Sequence, residues 1–258
     1  MLMFSSCDET KKQQAGEQEE RTDTVCFVKS EYKNSKKLSD AEYPKYDINI
    51  EVEYADSMSV LSDTINRQLA VFLFNNGTMP FEKTANSFGD SIAQEYESEL
   101  KEFYDKDNEY QDTFAYEYTQ KGKVTDNPLP GTIGYSNHIA VYEGGAHGGA
   151  LLSYINFNAT TGAAITCEQV FGTNHEEVLN RIRNQIVKDY ECQTKEELEE
   201  KTSIFSLGDV YVTDNNFLLQ ADGVEFCYNP YEIAPWSEGM IFTKLTYEQL
   251  EGCITLPF

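Results

Sequence analysis

The stretch KYDINIEVEY, residues 45–54, alternates strictly, with Ile48, Ile50, Val52 and Tyr54 on one side and Asn49, Glu51 and Glu53 on the other. A period of two is that of a strand with one face buried and one solvated. Within a few residues the period changes. In SVLSDTINRQLAVFLF, Leu61, Ile65, Leu69, Phe72 and Leu73 recur at helical spacing. Asn75-Asn76-Gly77 then supplies residues that tolerate the left-handed conformation closing a helix. From Phe81 to about Asp107 a second helix is expected. Ala85, Phe88, Ile92, Tyr96, Leu100 and Phe103 form its apolar stripe, and Glu95, Glu97, Glu99, Glu102, Asp105 and Asp107 its solvated acidic face.

The rest of the chain returns to strands. VCFVKSEY (25–32), DTFAYEYTQKG (112–122), GTIGYSNHIAVYE (131–143) and GALLSYINF (149–157) all read as strands, and NATTGAAIT (158–166) as a turn. CEQVFG (167–172) fits one helical turn. Asn174 with Glu177 resembles a capping box ahead of a helix striped by Val178, Ile182, Ile186 and Tyr190, and Thr194 with Glu197 repeats the pattern. Short strands are expected at DVYVT (209–213), NFLLQ (216–220) and VEFCYN (224–229), with Asp214-Asn215 and Asp222-Gly223 as hairpin turns. GMIFTKLTYEQLEG (239–252) suggests a strand and then a short helix. Strands that come in runs between helix pairs, rather than in strict β-α alternation, predict an α+β fold with mainly antiparallel sheets and packed helices.

Forty-four acids against twenty bases give the 258 residues a formal charge of −24, while 15 Phe and 17 Tyr supply apolar bulk for a core. Such a surface repels nucleic acid and anionic headgroups and favours basic partners. No internal run approaches the ~18 apolar residues of a membrane-spanning helix. The first residues, MLMFSSC, look like the tail of a bacterial lipoprotein signal ending at a lipidated Cys7. The polar run DETKKQQAGEQEERTD that follows has the composition of a tether. The expected location is therefore the cell envelope, with the membrane touched through the lipid anchor alone. Of the six cysteines, none forms a C-x-x-C pair or lies near a histidine at metal-ligand spacing, so free thiols are expected.

Two stretches invite a functional reading. EGGAHGG (143–149) places His147 among four glycines, between two expected strands. Glycine serves where φ must be positive or backbones approach closely. The element then forms a corner that the imidazole staples, or presents the imidazole at a cleft as a ligand contact or general base. The spacing favours the staple. His138, His147 and His175 are separated by nine and twenty-eight residues, which matches no common zinc pattern, and no metal or cofactor is expected. In YNPYEIAPWSEG (228–239), Asn229-Pro230 starts a turn and Pro235 breaks any helix. Tyr228, Tyr231 and Trp236, the only tryptophan, either pin that loop to a sheet or form an exposed aromatic platform for sugar rings or a protein. His147, Tyr228, Tyr231 and Trp236 are thus the candidate ligand contacts.

YEGGAHGGALLSYINFNATTGAAIT and VEFCYNPYEIAPWSEGMIFTKLTYEQL together resemble the RsiV-like extracytoplasmic region. That region is shared by the anti-sigma factor RsiV, the deacetylase PdaC and bacterial envelope lipoproteins. The resemblance spans roughly residues 24–258. It implies a tether over 1–23 and two linked α+β modules, 24–160 and 161–258, the second similar in shape to a subdomain of heat-shock-cognate ATPases. No phosphate-binding loop accompanies that shape. In RsiV the region binds lysozyme as a sensor; in PdaC it sits beside a separate catalytic domain whose acidic and double-histidine motifs are missing here. The resemblance therefore implies a binding or sensor module, with a basic protein such as lysozyme or a cell-wall glycan as ligand. The alternative is a hydrolase of cell-wall material using His147 and a carboxylate.

Overall fold

The alternating segment at 45–54 becomes the second strand of a five-stranded sheet. The computed structural model describes residues 25–56, 58–107, 109–172 and 175–255. The sheet runs β1 (Phe27–Lys37), β2 (Lys45–Ala55), β3 (Ala115–Val124), β4 (Thr132–Tyr142) and β5 (Gly149–Asn158) in spatial order. Tyr46, Ile48, Ile50 and Val52 are buried, as period two requires, and Tyr54 is half-buried. Two helices cover that face: α1 (Val60–Phe74) and α2 (Phe81–Phe103). Ser59 caps α1, its hydroxyl accepting from Ser62 N at 3.1 Å, and Asn75 closes it at φ 51°. Ile65, Leu69 and Leu73 point into the core.

The pairing is mainly antiparallel, as expected, with one parallel pair, β2 and β3, that makes the first sheet mixed. A parallel pair needs a long crossover, and the α1–α2 pair is that crossover. One expectation fails: the second helix stops short of Asp107 and leaves Phe103 exposed. Beyond it Asp105 turns the chain, its carboxylate accepting from Asp107 N at 2.9 Å. A short acidic side chain competes in this way with helix continuation. Gly89 has a steric reason: a Cβ there would lie 2.3 Å from the Tyr32 ring, so only glycine lets α2 rest on β1.

The second sheet is antiparallel: β6 (Phe217–Gln220), β7 (Gly223–Tyr228) and β8 (Ile241–Thr246). It is joined by α3 (Cys167–Phe171), α4 (Glu176–Asp189) and α5 (Lys195–Lys201). Val178, Ile182 and Ile186 are buried along α4, and Thr194 caps α5 with its hydroxyl 3.1 Å from Glu197 N. Asn174, the expected cap of α4, lies outside the described residues. β6 and β7 meet in a hairpin whose turn is Ala221-Asp222, with Gln220 opposite Gly223.

The DVYVT strand does not form, so Asp214-Asn215 is not a hairpin turn. Val210 and Val212 are still buried. Side chains capture the backbone instead: Tyr211 O accepts from Tyr228 Oη at 2.9 Å and from Asn216 Nδ2 at 3.1 Å, and Thr213 N donates to Asn216 Oδ1 at 2.8 Å. The segment after β8 is a series of turns rather than a helix.

Two large apolar cores result, one drawn from residues 46–157 and one from Leu129 with residues 165–250, with a small further cluster of Tyr154, Leu218 and Cys227. Buried asparagines tie them together. Asn156 Nδ2 donates to Phe217 O at 3.0 Å and its Oδ1 accepts from Leu219 N at 2.9 Å. Asn229 serves Leu152 in the same way, through N at 2.7 Å and O at 3.1 Å. Each amide presents a donor and an acceptor to a strand edge, as a neighbouring backbone would.

The tyrosines set an alkaline limit to the fold. Burial raises Tyr96, Tyr116 and Tyr247 to about 12, and a hydrogen bond to Glu82 followed by burial does the same for Tyr54. Burial pushes Tyr118, Tyr135, Tyr154 and Tyr228 up as well. Unfolded phenols ionise near 10. Above that pH the unfolded chain holds fewer protons, so stability is full below about pH 10 and falls as pH rises toward 12. A 295 nm titration alongside circular dichroism should show most phenolate appearing only as structure is lost. Full ionisation near pH 10 with the fold intact would contradict these environments.

Candidate functional site

The glycine-rich stretch is a six-residue hairpin loop, 143–148, between β4 and β5. Gly144 and Gly145 have φ of 80° and 90°. A Cβ on Gly144 would lie 2.3 Å from Thr113 O. The glycines therefore shape the corner for the anticipated reasons, but the histidine does not staple it from inside. His147 is exposed, and its Nδ1 lies 3.1 Å from Gly148 O. Its ring stacks on Trp236, with centroids 4.3 Å apart and planes 18° apart. The two stretches singled out in the sequence thus meet face to face across 89 residues (236 − 147).

The Trp236 loop is held rigidly on its inner side. Asn229 clamps its start to β5, and Glu232 Oε2 accepts from Asn229 N at 2.6 Å. Ile233 and Ala234 are buried, and Ile233 O accepts from Phe205 N at 2.8 Å. Glu238 Oε1 accepts from Ser203 N at 3.0 Å. On the outer side Tyr231 is 62% exposed and Trp236 42%. Tyr231 has φ 73°, and its N donates to Ala234 O at 2.7 Å. A bulky side chain in the left-handed region costs of order 1–3 kcal/mol and persists where surrounding structure imposes it.

Tyr228 is not part of this surface. It is fully buried, with its hydroxyl on Tyr211 O. The alternation of Val224, Phe226 and Tyr228 along β7 puts all three on the core face. The structure therefore joins His147 to Trp236, leaves Tyr231 exposed on the same loop and removes Tyr228. Cys7 lies outside the described residues. The local sequence marks Asn229 only as a turn former; its clamping role depends on β5, which no local pattern reveals.

The acid–base inventory is sparse. His147 has a backbone carbonyl as its hydrogen-bond partner. His138 is exposed on β4, and His175 Nε2 bonds to Gly172 O at the start of α4. Among the described residues no group of three or more His, Cys, Asp or Glu side chains could hold a metal ion. The described cysteines are free thiols. Burial raises Cys227 to about 12, with Glu232 and Glu225 adding to it, and burial with a hydrogen bond to Asp214 raises Cys167 to about 11. Protonated thiols are poor nucleophiles.

Residues 169–248 match the model of the DUF3298 family, described as a protein of unknown function. The matched segment contains the Trp236 loop and the second sheet, and ends within the turns that follow β8. A crystal structure of a DUF3298 family member from Bacteroides fragilis superposes with a TM-score of 0.79 at 21% identity, over 91% of this chain and 95% of that one. A DUF3298 protein from Pseudomonas aeruginosa gives 0.62 at 15% identity, over 91% and 96%. These likenesses concern the fold. Comparison with curated proteins returns no match. No helix among the described residues is long and apolar enough to cross a membrane.

The stack makes a test of His147 specific. His147→Ala should change the emission of Trp236, the only tryptophan. It should move stability by no more than about 0.5 kcal/mol, as for other exposed side chains. Fluorescence and thermal melting measure both. Unchanged emission with a melting temperature lowered by several degrees would restore the buried-staple role.

Proposed function

We propose that this chain is a lipid-anchored binding or sensor module of the bacterial cell envelope, tethered through Cys7 and residues 1–23. Its ligand is a basic protein of the lysozyme type or a cell-wall glycan. On this reading residues 24–160 and 161–258 are two linked modules of the RsiV-like kind, the second shaped like a subdomain of heat-shock-cognate ATPases. The observation that carries the reading is the His147–Trp236 stack. It assembles the two stretches behind the resemblance into one exposed aromatic surface, with the Trp236 loop pinned from below. Aromatic faces of this kind bury large area at low entropic cost and suit sugar rings or a protein partner.

Binding is favoured over hydrolysis because His147 bonds to a backbone carbonyl rather than to a carboxylate that would orient and charge it. The formal charge of −24 supports a basic partner, since complementary charge accelerates encounter. Titration calorimetry against lysozymes and soluble peptidoglycan fragments, at low and moderate salt, tests this. Binding of one class is expected, and a protein partner should associate more slowly as salt screens charges beyond ~8 Å. No binding to either class, together with hydrolysis of a cell-wall substrate that His147→Ala abolishes, would make the protein an enzyme instead.

A further inference from the structure

The loop joining α1 to α2 carries the one Asn-Gly pair in the chain, Asn76-Gly77. Residues 76–78 belong to no helix or strand, and Asn76 and Thr78 are exposed. The backbone nitrogens before Gly77 are taken up in closing α1. Asn75 N donates to Val71 O at 2.9 Å and Asn76 N to Ala70 O at 3.3 Å. Gly77 N makes no hydrogen bond among the described residues.

The Asn76 amide is held from its other side. Its Oδ1 accepts from Thr78 N at 3.0 Å and from Thr78 Oγ1 at 2.6 Å. Two donors on one carbonyl oxygen draw charge toward it and leave Cγ more open to attack. They also stand where an oxyanion forms if Cγ is attacked, as donors do in an oxyanion hole. Gly77 N is the nucleophile that the chain itself supplies, since its bond to Cγ closes a five-membered ring. Glycine puts no side chain beside that nitrogen and adopts backbone conformations closed to other residues. Asn75 is the contrast within the same loop. The nitrogen that follows it is already bonded to Ala70 O and belongs to a residue with a side chain.

We propose that Asn76 deamidates without an enzyme, through a cyclic imide made with Gly77 N. Hydroxide takes the Gly77 N–H proton. The nitrogen pair forms the N–Cγ bond, and the carbonyl pair moves onto Oδ1, where the Thr78 N–H and O–H hold it. That pair then returns, the Cγ–Nδ2 bond breaks, and ammonia leaves with a proton from water. A water molecule opens the imide. Attack at Cγ gives aspartate at position 76, and attack at the main-chain carbonyl gives isoaspartate, with the chain routed through the side chain. One water enters, one ammonia departs, and nothing is oxidised or reduced. Either product adds a negative charge beyond the C-terminus of α1, the negative end of the helix dipole.

The test is timed incubation of the full chain in warm, mildly alkaline buffer, followed by tryptic mapping with mass spectrometry. Cleavage after Arg67 and Lys83 yields one peptide, 68–83, that holds both asparagines. Fragment ions should place conversion at 76 well ahead of 75, and chromatography should separate an isoaspartyl from an aspartyl form. The rate should rise with pH, because the attacking nitrogen must lose its proton. T78A should slow conversion by about three- to tenfold, short of the ~10²–10³ of a donor in a water-excluded site, and T78S should keep the wild-type rate. Both variants should melt with the wild type, because Thr78 is exposed. In urea that removes the fold, T78A and wild type should convert equally. Conversion at 75 as fast as at 76, or none at either, overturns the site. Equal or faster conversion in folded T78A overturns the part given to Thr78.

Discussion

Asn156→Ala is expected to lose about 2–6 kcal/mol of stability. Asn156 is fully buried and joins β5 to β6 through Phe217 O and Leu219 N. Truncation leaves a carbonyl and an amide without partners in a site water does not reach, and each orphan costs about 1–3 kcal/mol. Aspartate cannot replace it: a carboxylate accepts from Leu219 N but has no proton for Phe217 O. Urea denaturation with circular dichroism reads the effect. A loss below 1 kcal/mol would mean that the two sheets do not depend on this link.

Trp236→Ala is expected to weaken the ligand by roughly 30-fold or more, the scale of an aromatic hot spot of about 2 kcal/mol. The fold should survive, because Ile233, Ala234, Asn229 and Glu238 hold the loop independently of the indole. Tyr231→Ala removes an exposed ring from the same loop but also alters a strained position, so Tyr231→Asn, which tolerates positive φ, is the cleaner comparison. If calorimetry gives wild-type affinity for Trp236→Ala, the aromatic surface is not the binding site.

Much of the architecture was legible because single elements announce themselves through periodicity. The alternation of Ile48, Ile50 and Val52 and the 3.6-residue stripe of Ile65, Leu69 and Leu73 both point inward as expected. Asn75 closes α1 at a positive φ, as its side chain suggested. What periodicity could not supply was pairing. The parallel β2–β3 register depends on what the α1–α2 crossover does in space. Val210-Tyr211-Val212 alternates like a strand, yet Asn216, a few residues on, and Tyr228, from β7, take the backbone groups of Tyr211 and Thr213.

The site was half legible for the same reason. The glycines around His147 correctly marked a backbone that only glycine accepts. Which way the imidazole faced depended on Trp236, brought from the other sheet. Tyr228 shares the buried side of β7 with Val224 and Phe226, a placement that their alternation in the sequence already carries.

The central claim is that the hairpin loop at 143–148 and the loop at 229–239 form one ligand surface. Chemical-shift mapping with the bound ligand, whether lysozyme or a soluble peptidoglycan fragment, tests it most directly. The indole N–H of Trp236 and the amides of both loops should move together along one binding curve, and Trp236→Ala should suppress the shifts in the hairpin loop. Shifts confined to the helices α1 and α2, or to only one of the two loops, would contradict it.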